Sequence, residues 1–138
     1  GVDRLPHMPS GAGLTARDWA RFGWCVLQDG EALVDRTALS QCFEGTRANP
    51  GYGLSWWLLR DGLVPPGRNS GLQLDTEFAE RLGGIAMAAG AGDQRLYLIP
   101  ALELVIVRQA SGILRALRRR SRGPSWSDAE FLRLAAAR

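Results

Sequence analysis

Few side chains in this chain could serve as nucleophile, base or metal ligand. His7 is the single histidine, and Cys25 and Cys42 are the only cysteines. They lie in different segments without Cys-x-x-Cys spacing, so no zinc site is expected; two buried reduced thiols are the simplest reading, and a disulfide between them stays open. His7 with a serine and Asp18 or Asp35 has the composition of a Ser/His/Asp triad. It stands in a Pro-rich terminal stretch, however, and no Gly-x-Ser-x-Gly elbow presents a serine, so an exposed loop histidine is expected. All 17 basic residues are arginine. Without lysine the chain has no P-loop lysine, no Schiff-base amine and no Ser-x-x-Lys pair.

One stretch has the texture of a site built from backbone. Ala88-Ala89-Gly90-Ala91-Gly92-Asp93-Gln94-Arg95-Leu96-Tyr97-Leu98-Ile99-Pro100 reads as a small-residue strand, a glycine turn, and a strand running from polar to apolar. A tight hairpin alone gives the same pattern, because glycines permit close approach without saying what approaches. Trp56 and Trp57 point to opposite faces of a strand, one into the core and the other a candidate wall of a cleft. Arg115, Arg118, Arg119, Arg120 and Arg122 could meet phosphates, but no aromatics are interleaved with them, and a solvated connection is the expectation.

The elements that must position these residues follow from pattern. Residues 1–13 are rich in Gly and Pro and read as loop. Thr15-Ala16-Arg17-Asp18 is a capping box opening a helix over about 16–28, with Trp19, Phe22, Val26 and Leu27 near one face and Asp29-Gly30 as its stop. A shorter helix after Asp35 carries Leu39, Cys42 and Phe43 inward. Residues 52–59 alternate as a strand. Residues 61–71 form a Pro/Gly-rich loop, followed by a weakly patterned stretch to Leu82. The small-residue run 83–92, the strand 95–99, the turn Pro100-Ala101 and the strand 104–108 make an antiparallel meander. Ser127-Asp128-Ala129-Glu130 is a second capping box, opening a terminal helix with Phe131, Leu134 and Ala135 as its apolar face. The order helix, strands, helix is α+β, an antiparallel sheet flanked by helices. With 138 residues, 46% hydrophobic and 22% charged, the chain has the size and composition of one domain, and no apolar run reaches a membrane span.

Several of these segments together resemble a known family. Leu14-Thr15-Ala16-Arg17-Asp18-Trp19-Ala20-Arg21-Phe22-Gly23 is similar to the "T-A-x-D-x-A-R-F-G" helix of the serine β-lactamase-related hydrolases, the group of class C β-lactamases, esterases and DD-peptidases. Tyr52-Gly53-Leu54-Ser55-Trp56-Trp57 resembles their "Y-G-x-G-W" strand. The stretch Ala88 to Pro100 resembles their third motif region, where a Lys-Thr-Gly or His-x-Gly triplet precedes a glycine turn and a strand ending at Pro; Glu103 to Arg108 is similar to their last strand.

The resemblance implies that residues 1–138 are the C-terminal portion of the β-lactamase/transpeptidase-like fold, in a serine hydrolase whose N-terminal part carries the nucleophile and base. The triplet falls on Ala88-Ala89-Gly90, so the usual cation is missing and only the glycine is kept. The residue after it, Ala91, would offer its backbone N–H to the oxyanion, with Gly90, Gly92 and Gln94 along the substrate wall. Such a donor can contribute ~3 kcal/mol of transition-state stabilisation. The Ser-x-x-Lys and Tyr-x-Asn motifs are absent here, since Tyr52 and Tyr97 both lack the Asn or Ser two residues on. Expected partners are a small ester or amide substrate in the intact parent and the missing N-terminal part, with no metal, cofactor, nucleic acid or membrane span. A scaffold or binding module that kept the fold and lost the chemistry is the alternative.

Overall fold

The computed structural model describes residues 13–59, 76–90, 92–110 and 127–136. His7, the loop 61–71, Ala91 and the arginines at 115–122 lie outside them.

The chain opens with helix α1, Ala16–Leu27. The Thr15 hydroxyl accepts from the Asp18 N–H at 3.1 Å and satisfies one of the free amides of the first turn. The helix stops as expected: Asp29 (φ 56°) and Gly30 (φ 85°) turn left-handed. Helix α2, Arg36–Gln41, is capped by Asp35, whose carboxylate accepts from the Ala38 N–H at 2.8 Å.

The strand expected over 52–59 is shorter. Only Trp57–Leu59 forms strand β1. Ser55 takes φ 68°, and the Gly53 N–H donates back to the Trp56 carbonyl, so 52–56 folds on itself and meets the strand through one Tyr52–Trp57 bridge. A left-handed residue cannot continue a pleat, whatever the alternation of its neighbours.

Helix α3, Thr76–Arg81, lies in the weakly patterned stretch. Strands β2 (Ile85–Gly90), β3 (Gln94–Ile99) and β4 (Leu104–Arg108) follow, with a 3-10 turn at Pro100–Leu102 between the last two. Helix α4, Asp128–Ala135, completes the described chain, and the Ser127 hydroxyl accepts from the Glu130 N–H at its start.

Among the described residues the sheet has the order β1-β2-β3-β4, antiparallel throughout. Helices cover both of its faces. On one, Val26 of α1 and Leu39, Cys42 and Phe43 from α2 and the turn after it pack with Trp56, Leu58, Leu96 and Leu98. On the other, Phe78 and Leu82 from the α3 region and Leu132 and Ala136 from the α4 region pack with Ile85, Met87, Tyr97 and Ile99.

Strand β2 shows how composition meets both layers. Its large residues, Ile85 and Met87, point to the α4 side, and its small ones, Ala86 and Ala88, to the α1 side. Gly23 lets α1 come close to β3 and β4: a Cβ there would stand 2.7 Å from Val105 Cγ1 and 2.8 Å from Leu96 Cδ1.

Two expected apolar faces are turned differently. Phe22 is 50% exposed, although its ring stacks on Trp56 at 6.5 Å. In α4, Leu134 is 78% exposed while Ala129, Leu132 and Ala136 are buried, so the inward stripe follows 129, 132 and 136. Both cysteines are free thiols and half-buried.

Candidate functional site

The β2–β3 turn is the place where the sequence put a backbone site. Gly90 pairs with Gln94 and closes the hairpin, and Gly92 (φ 73°) and Asp93 (φ 60°) are left-handed at its tip. Ala91 lies outside the described residues. Ala88 packs with the α1-side core, so the first position of the resembling triplet carries a small apolar group on that face.

Side chains hold the carbonyls of this turn. The Gln94 amide donates to the Ala110 carbonyl at 2.8 Å and to the Gly92 carbonyl at 3.4 Å, and its Oε1 accepts from the Ala110 N–H at 3.1 Å. Gln94 therefore ties the turn to the end of β4, and its polar atoms are engaged with backbone. Arg108 donates to the Asp93 carbonyl. Arg95 donates through Nη1 to the carbonyls of Gln94 at 2.9 Å and Gly90 at 3.4 Å.

The other side of Arg95 reaches a group that sequence reasoning missed. Its Nε and Nη2 donate to the two carboxylate oxygens of Asp128, at 2.8 and 3.3 Å, which is a bidentate pair. Asp128 is fully buried, and the Arg95 side chain is 11% exposed. The Tyr97 hydroxyl donates to the same carboxylate, and its ring lies 5.8 Å from that of Phe131. Arg95 and Tyr97 are two apart on β3 and so share the α4 side of the sheet, where Asp128 sits in the first turn of α4. Buried charge is tolerated only when paired and hydrogen-bonded, and here both carboxylate oxygens have donors. The sequence held one signal, an acid directly after a Ser N-cap, but it gives no hint of a partner 33 residues away.

A cavity of about 270 Å³ lies at the opposite end of β2 and β3, lined by Val26, Leu27, Phe43, Leu58 and Leu98, with Asp29 at its rim. Asp29 is ion-paired to Arg36 at 2.7 Å, and both side chains are largely in solvent. Trp56 and Trp57 both join core clusters; the Trp57 ring meets that of Tyr52 in a tilted contact at 4.3 Å and packs against the α4-side core. Among the described residues no group of three or more His, Cys, Asp or Glu could hold a metal ion, and no helix is long and apolar enough to cross a membrane.

No family model, curated protein or solved structure matches the chain.

Proposed function

We propose that this chain is the C-terminal part of a serine hydrolase of the β-lactamase-related type, acting on esters or amides. The observation that carries the reading is the layout: a capped helix, a sequential antiparallel meander with a glycine turn between β2 and β3, and a capped terminal helix on the far face. It is the order in which the resembling segments occur along the sequence. Apolar side chains left in solvent, among them Phe22, Trp24, Leu33 and Leu54, support a further part of the same protein packing beside α1.

In the intact protein a serine outside this chain attacks the substrate carbonyl. The leaving alcohol or amine departs with a proton, and water then hydrolyses the acyl-enzyme. This chain contributes the β2–β3 turn, whose amide after Gly90 donates to the oxyanion. With Ala88 at the head of the triplet there is no cation to meet a substrate carboxylate, which favours neutral esters and amides over β-lactams.

A second reading, a scaffold that retains the fold without the chemistry, is favoured by one observation: Gln94, expected along the substrate wall, has its side-chain polar atoms bonded to the backbone at Ala110. The native polypeptide, captured with an antibody against this chain, separates the two. The hydrolase reading expects a product well above 15.0 kDa, carrying a serine that a fluorophosphonate probe labels. A larger product without label supports the scaffold. A product of 15.0 kDa without label overturns the hydrolase.

A further inference from the structure

The carbonyl of Gly90 ends strand β2 and leads into the glycine turn. A side chain that holds this carbonyl fixes the strand end from which the turn departs. Arg95 donates to the Gly90 carbonyl, and Arg95 is itself held by the buried carboxylate of Asp128 in α4.

We propose that Arg95 and Asp128 form a latch through which the terminal helix α4 fixes the carbonyls of Gly90 and Gln94, making them positioning residues for the β2–β3 turn. Three features carry this. The pair is bidentate, so the guanidinium plane is fixed in direction as well as in place. It is buried, so water does not compete for the carboxylate. The guanidinium nitrogen not engaged with the carboxylate donates to the Gln94 and Gly90 carbonyls, on the two strands that flank the turn. Tyr97 adds a third donor to the carboxylate and fastens it from the middle of β3. The catalytic consequence of the latch rests on the oxyanion role given to the turn above. The latch itself rests on these contacts.

Amide hydrogen exchange on the full chain tests it, comparing Gly92 and Gln94 in the turn with Leu98 and Ile99 at the far end of the same hairpin. In Asp128→Asn the turn amides should exchange at least tenfold faster than in the parent, with the far-end amides changed much less. Because removing one member of a buried pair can unfold a protein, the double variant Arg95→Met/Asp128→Leu is the second arm, its apolar side chains replacing the ion pair at similar volume. Its far-end amides should stay protected while the turn amides remain at least tenfold faster. Equal acceleration at both ends in both variants, or no acceleration in the turn, overturns the latch. In the native polypeptide, the same double variant should lower kcat about tenfold or more with KM within twofold. A loosened turn with unchanged kcat would leave the latch standing and overturn the oxyanion role instead.

Discussion

Asp128 is the residue on which the terminal helix depends. Its carboxylate is fully buried and takes donors from Arg95 and Tyr97. Removing Asp128 takes away the bidentate partner of Arg95 and leaves it only the longer 3.8 Å ion pair with Asp93, so Asp128→Ala should destabilise the chain by about 3 kcal/mol. Tyr97→Phe takes away one donor among several and should cost about 1–2 kcal/mol. Urea unfolding measures both, and an Asp128→Ala loss no greater than that of Tyr97→Phe would mean the ion pair adds nothing beyond a single hydrogen bond. The capping residues were legible because they act on amides within three positions: Thr15, Asp35 and Ser127 each accept from the residue three further on. The Arg95–Asp128 pair was not legible, because its partners come together only when α4 lies across the sheet.

At the scale of elements, glycines mark where neighbouring chain leaves no room for a side chain, Gly23 and Gly53 among them. On α1, an added Cβ at Gly23 would meet flexible ends of Val105 and Leu96. These can give way, and alanine's better helix propensity recovers about 1 kcal/mol. Gly23→Ala should thus cost about 1 kcal/mol net, and Gly23→Leu about 3 kcal/mol or more, as overpacking grows with volume. At Gly53 the Cβ would sit 2.1 Å from the Cys42 carbonyl oxygen, a backbone atom that cannot rotate aside. Gly53→Ala should cost about 3 kcal/mol or more and disturb residues 42–58 as a unit, read as loss of the Trp56 near-ultraviolet signal. The helix α1 and the three longer strands were legible from cap, period and turn. The 52–56 segment was not, since its residues alternate like a strand while Ser55 turns left-handed to bring Trp56 beneath Phe22 and Phe43.

For the molecule as a whole, strands β2 and β3 belong to both cores at once. Leu96 and Leu98 face α1, and Tyr97 and Ile99 face α4. The two layers should therefore unfold together: Leu98→Ala and Leu132→Ala, on opposite faces, should each cost about 2–5 kcal/mol and shift one shared transition. Tryptophan fluorescence and far-ultraviolet dichroism would then superimpose in both variants. Separate midpoints would show that the faces fold independently. What the sequence by itself determined were local matters: where helices begin and end, and which segments pair as a meander. These are encoded within a few residues by hydroxyl caps, periodicity and glycine. The tertiary structure alone decided that Leu132 and not Leu134 points inward, that Gln94 is held by Ala110, and that a carboxylate in the last helix reaches the β2–β3 turn through Arg95. Each of these depends on which surfaces meet across many residues of chain. Burial, unlike a cap or a turn, is a property of the packed pair and is not written in either segment alone.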